Sequence, residues 1–167
     1  MNMREAAAKA DQLTTKTLSG VRPPLEWTHG QSDWGSCTGR SDVGDVTRRA
    51  VVMTQVSAER RGSLLGIIER SWKKAGYTIT QVDSNKEFPA VYADDDEGVL
   101  KMALTVGYKG QFFLDVQTAC EEKSEVAQPT TPGRGADYRG KDVPTPNVHS
   151  AFWSSEEPVP SPATSGG

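Results

Sequence analysis

The feature that most constrains this chain is the alternation within residues 98–120, GVLKMALTVGYKGQFFLDVQTAC. Leu100, Met102, Leu104 and Val106 alternate with Lys101, Ala103 and Thr105. After Gly107-Tyr108-Lys109-Gly110, Phe112, Leu114 and Val116 alternate with Gln111, Phe113, Asp115 and Gln117. A two-residue period sends one set of side chains to one face of a strand. The stretch therefore predicts a β-hairpin with one buried face, its turn using the positive φ angles that Gly107 and Gly110 permit. Cys120 continues the Phe112 set and is expected on the core side.

The only other cysteine is Cys37, in the loop sequence WTHGQSDWGSC. Count alone does not separate two buried free thiols from a bond. Context favours the bond, since a Gly/Ser loop is a poor place for a buried apolar thiol and Cys120 closes a strand. Closing a loop of this size stabilises a fold by about 4 to 5 kcal/mol in the chain-entropy model. It also implies an oxidising, extracytoplasmic setting.

Upstream of the hairpin, residues 4–20 predict a helix. Alanine is dense there, and Ala10, Leu13, Thr17 and Val21 form a narrow stripe. So weakly apolar a face is expected at the edge of the domain. Ser19-Gly20 and Pro23-Pro24 end it. Residues 25–45 read as a Gly/Ser loop, and 46–56 as a strand covered on both faces, with Ala50, Val52, Thr54 and Val56 on one side. Ser57 is the expected cap of a helix running to about Ala75, with Leu64, Leu65, Ile67, Ile68 and Trp72 at helical spacing and Gly76 just beyond. Strands follow at 77–83 and 88–93, and Pro89 points to an edge or a bulge in the latter.

The fold class expected is α+β: an N-terminal helix followed by β-α-β-β-β-β, an antiparallel sheet with one long helix packed on a face. A chain of 167 residues fits one domain with tails. Residues 1–3 are expected to be an added start or leader remnant, 4–121 the domain, and 122–167 an extended or disordered tail rich in Pro, Gly and Ser. Within that tail, VHSAFW at 148–153 is expected to dock back through Phe152 and Trp153 or to anchor a partner.

Candidate chemistry is sparse. Trp27, Trp34 and Tyr92 are the candidate aromatic platform for a small ligand or glycan, although the two tryptophans equally suit covering the sheet beside Cys37. Asp94 and Asp96 are weak metal candidates in the acidic turn 94–98, because clustered carboxylates suit calcium. Gly98, however, falls where an EF-hand needs a ligand. His29 and His149 come without a Cys-x-x-Cys partner, so no structural zinc site is expected. Ser32 with His29 and Asp33 nearby gives the serine-hydrolase alternative, but GQSDWG is not a G-x-S-x-G elbow. No catalytic residue and no cofactor are expected. The net charge of −3 gives no basic footprint for nucleic acid, and no apolar run is long enough to span a bilayer.

Taken in order, PPLEW, WGSC, RRGSLLGIIERSWKKAGY and GYKGQFFLDVQTAC resemble uncharacterised secreted proteins and lipoprotein-like families of actinobacteria. The resemblance spans about residues 4–121, and its most specific parts are the W-x-x-x-G-Y helix end at 72–77 and T-x-C at 118–120. It implies an exported protein and a Cys37–Cys120 pair, with a lipid anchor upstream left open because the apolar leader and its cysteine are missing. It implies no activity. The expected function is thus a non-enzymatic, extracytoplasmic accessory domain that binds another envelope or secreted macromolecule. The alternative is a small-ligand or glycan-binding module using Trp27 and Trp34, and then a serine hydrolase.

Overall fold

A computed structural model describes residues 1–159; residues 160–167 of the expected tail lie outside the described residues. The chain runs α1 (Met3–Ser19), β1 (Trp27–His29), β2 (Asp33–Ser36), β3 (Val43–Val52), α2 (Ala58–Lys74), β4 (Thr78–Asp83), β5 (Ala90–Asp94), β6 (Leu100–Val106), β7 (Phe112–Thr118) and β8 (Glu121–Glu122). All strand pairs are antiparallel, in the order β1-β3-β7-β6-β5-β4, and β2 and β8 also pair with β3.

The hairpin forms as the alternation predicts, with Val106 paired to Phe112 and Leu100 to Thr118. Its tip differs. The positive φ angles belong to Lys109 and Gly110, while Gly107 is extended at φ −113°. Leu100, Met102, Leu104, Val106, Phe112, Leu114 and Val116 are buried and join Ala50, Val52, Val91 and Ala93 under the helices.

The sheet carries two helices of 17 residues rather than one long one. Helix α1 is not peripheral. It lies on β3 and β7 and buries Met3, Ala6, Ala7, Ala10, Leu13 and Leu18, because alanines let its backbone approach the sheet closely. Trp72 of α2 donates from Nε1 to Thr17 Oγ1 of α1 at 3.0 Å, which ties the two helices side by side. Asn2 and Met3, read as a leader remnant, are built into the fold. Asn2 Oδ1 accepts from the Glu5 backbone N–H at 2.9 Å, Glu5 returns a carboxylate to the Asn2 N–H, and Met3 is buried.

Three short strands were not expected. β1 and β2 fall in the Gly/Ser loop, and both pair with the same edge of β3. Pro89 stands just before β5, which is internal; the bulge lies in β4, between Ile79 and Gln81. β3 and β4 run in the same direction with β7, β6 and β5 between them, so α2 carries the chain over those three strands.

Cys37 and Cys120 are bonded. The bond sits on the rim, not in the core, because β7 ends at Thr118 and Cys120 is exposed. The segment from Lys123 to residue 159 contains no helix or strand but is laid against the domain. Arg134 and Trp27 exchange backbone hydrogen bonds along the outer edge of β1. Trp153 is fully buried and donates to the Pro23 carbonyl at 2.8 Å. Ser57, the N-cap of α2, makes no side-chain cap bond, because its hydroxyl is given to the Ser155 carbonyl.

Candidate functional site

Ser32 and His29 are both buried, but they serve different partners. The Ser32 hydroxyl accepts from Arg48 Nη1 at 3.0 Å, and the Arg48 guanidinium also meets Asp11 of α1 and the Ala127 carbonyl. His29 Nε2 donates to the Thr131 carbonyl at 2.8 Å. Burial pushes its imidazole below the ordinary 6.5, partly offset by that carbonyl. The imidazole proton is thus held toward the docked segment, and the hydroxyl is engaged by a cation. Neither arrangement is the nucleophile–base contact of a serine hydrolase.

The aromatic platform is not assembled. Trp27 is 2% exposed, its ring edge-on to His29 at 5.1 Å within the core. No face of Trp27 is free to stack on a ligand. Trp34 is 51% exposed on β2, beyond β3, and Tyr92 is half-buried on β5. Three strands separate β2 from β5, a span of about 19 Å at the usual inter-strand spacing, so Trp34 and Tyr92 do not share a ligand. Tyr92 instead borders a shallow hollow of about 500 Å³ on the uncovered sheet face, with Lys101, Asp115 and Gln117 around it.

The acidic turn is internally satisfied. Asp95 Oδ1 accepts from the N–H groups of Val99 and Leu100 at 2.9 and 3.1 Å, and Lys9 of α1 pairs with Glu97. Asp94 is paired within the sheet opposite Lys101. Among the described residues no group of three or more His, Cys, Asp or Glu side chains is placed to hold a metal ion. None of the helices is long and apolar enough to cross a membrane.

A different site emerges at the other end of the sheet. β4 is an edge strand, pairing among the described residues with β5 alone. Its outer row of backbone N–H and C=O groups faces outward, and nearly all its side chains are exposed. Between β4 and α2 runs a groove of about 360 Å³. Leu65, Val82, Pro89 and Val91 make its apolar lining, and the absence of a side chain at Gly62 leaves it open. Val82 and, beside it, Phe88 are each 49% exposed. Sequence reasoning passed over this site. Gly62 and Gly66 inside a helix were the available signal, since glycine there costs stability unless space is needed.

Compared with known proteins, the chain matches no protein-family model, no curated protein and no solved structure.

Proposed function

We propose that this chain is a non-enzymatic, extracytoplasmic accessory domain that binds another macromolecule of the cell envelope. The observation that carries the proposal is an asymmetry between the two ends of the sheet. At one end Arg134 pairs with Trp27 of β1 while β2 keeps an outer edge unpaired among the described residues; at the other the β4 edge is also unpaired and, unlike β2, lies beside an apolar groove. Long unpaired edges are a liability that folds usually cover, so one kept open beside an apolar groove is suited to a partner. The Cys37–Cys120 bond supports an oxidising compartment, and the resemblance to exported actinobacterial proteins points the same way.

The test is site-specific photo-cross-linking in the envelope fraction, with the cross-linker placed in turn at Val82, Tyr92 and Trp34. An adduct from one position that excess unlabelled domain competes away is the expected result. Loss of any competed adduct from all three positions sinks the proposal.

A second reading is a small-ligand or glycan site on the open sheet face. It is favoured by the hollow around Tyr92, where an aromatic ring adjoins Lys101, Asp115 and Gln117. Calorimetric titration with cell-wall glycan fragments, repeated on Tyr92→Ala, separates the two: heat that the substitution abolishes supports the glycan site. A serine-directed fluorophosphonate probe addresses the hydrolase alternative, and no labelling of Ser32 is expected.

A further inference from the structure

We propose that residues 127–147 form a strap over β1 that lifts when the pH falls, with His29 as its latch and both ends of the strap staying anchored. The ends are held by apolar contacts and the middle is not. Upstream, Val126 packs against Met3, Ala7 and Val46. Downstream, Val148 donates to the Met53 carbonyl and accepts from the Gln55 N–H, and Trp153 is fully buried. Between those anchors Pro129 alone is buried. So little apolar contact puts the middle at the low end of local stability, where a segment opens without the core unfolding.

Polar bonds hold that middle to the domain. Arg48 donates to the Ala127 carbonyl at 2.8 Å, and His29 Nε2 to the Thr131 carbonyl at 2.8 Å. Trp27 and Arg134 exchange backbone bonds of 2.9 and 3.0 Å, and the Tyr138 N–H donates to Thr28 Oγ1 at 3.0 Å. The approach is close: a Cβ built at Gly133 meets the Trp27 carbonyl oxygen at 2.5 Å. Among the side chains in these bonds, His29 is the one whose ordinary pKa lies near neutrality.

His29 is 2% exposed beneath the strap. A second proton leaves an imidazolium there, facing Arg48 of β3 and Arg139 and Asp137 of the strap. Hydrogen bonds from Arg139 hold the Asp137 carboxyl down at about 2, so it stays ionised and does not switch. Burial is the largest influence on the ring and lowers its pKa below 6.5, so a lifted strap, which gives the ring water, takes the proton more readily. Below pH 6.5 the open form therefore binds more protons than the closed one. The opening equilibrium grows by up to about tenfold per pH unit until the closed form is protonated too. Asp11, which reaches Arg48 from α1, works the other way. Burial raises its carboxyl, so the closed form keeps that proton more readily and its titration favours closure as the pH falls. Opening frees the β1 backbone at Trp27 and takes the Ala127 carbonyl away from Arg48.

The test is amide exchange on the oxidised, 15N-labelled full chain between about pH 7.5 and about pH 5, with protection corrected for the intrinsic rate. Protection at Trp27, Arg134 and Tyr138 is expected to fall about tenfold or more relative to Leu104 and Leu114 of the hairpin and to Val148. His29→Gln, whose amide nitrogen can still donate to the Thr131 carbonyl, is expected to abolish that fall, and His149→Gln to leave it intact. Should His29→Gln not fold, the parent decides the matter, because the fall must follow the His29 titration read from its Cε1 proton shift. Constant protection at the three amides overturns the proposal, as does loss at Val148 or the hairpin in step with them. So does a fall that survives His29→Gln, vanishes in His149→Gln, or runs out of step with the His29 imidazole.

Discussion

The Asp11 carboxylate on α1 meets the Arg48 guanidinium on β3 at 2.9 Å, with the two side chains only 11% and 4% exposed. From the same guanidinium, bonds reach Ser32, before β2, and the Ala127 carbonyl of the docked segment. One cation thereby joins the N-terminal helix, the central strand, the β1–β2 connection and the C-terminal segment. Burial outweighs the attraction of Arg48 and raises the Asp11 carboxyl above its ordinary 3.8.

Removing one partner of such a pair leaves a buried charge without compensation. Arg48→Met is expected to cost about 3 to 5 kcal/mol, measured by urea unfolding. The double substitution Asp11→Leu, Arg48→Met is expected to recover most of that loss. A single substitution that costs less than about 1 kcal/mol contradicts the account.

His29 makes stability depend on pH. Its folded pKa lies below the unfolded 6.5, so between the two values the unfolded chain binds more protons than the folded one. Stability from this residue is complete above pH 6.5 and is lost as the pH falls toward the folded value. His29→Gln is expected to flatten the pH dependence of the urea midpoint in that window. An unchanged slope rejects His29 as its source.

The Cys37–Cys120 bond spans 83 residues of sequence, a loop long enough for a large effect on the unfolded chain. Cys37→Ser with Cys120→Ser is expected to lower the unfolding free energy by about 4 to 5 kcal/mol in the chain-entropy model. Equal unfolding midpoints with and without reductant run against it.

Trp153 anchors the C-terminal segment, fully buried against Phe152, whose ring lies under the Arg60 guanidinium at 4.5 Å. Trp153→Ala is expected to destabilise the whole domain by about 3 to 5 kcal/mol. Proteolysis within 123–159 should become fast in the variant and stay slow in the parent. Rapid cleavage of both shows that the segment is not held.

Period carried the parts of the fold that were legible. The β6–β7 hairpin and α2 announce themselves because neighbours in sequence share one face of one element, whereas β4, exposed at nearly every side chain, carries no such stripe. β1 and β2 could not be found that way. They are three and four residues long, and β2 buries no side chain, so each exists as a strand only because β3 offers an edge. Arg48 was missed for a related reason. It occupies a core-facing position between Val46 and Ala50, and a cation there reads as a break in the stripe until Asp11 arrives from a distant helix.

The candidate site divides along the same line. Trp27, Trp34 and Tyr92 are identifiable as aromatic residues in sequence, yet whether a ring is core or surface depends on which elements close over it. By itself the sequence determined the hairpin, the long α2 helix and a pair of cysteines able to bond, since these follow from spacing and residue chemistry. Tertiary structure alone decided that α1 lies on the sheet, that the C-terminal segment seals the β1 edge, and that β4 stays open. Strand order and edge protection are set by packing between residues far apart in the chain, and no local pattern carries that information.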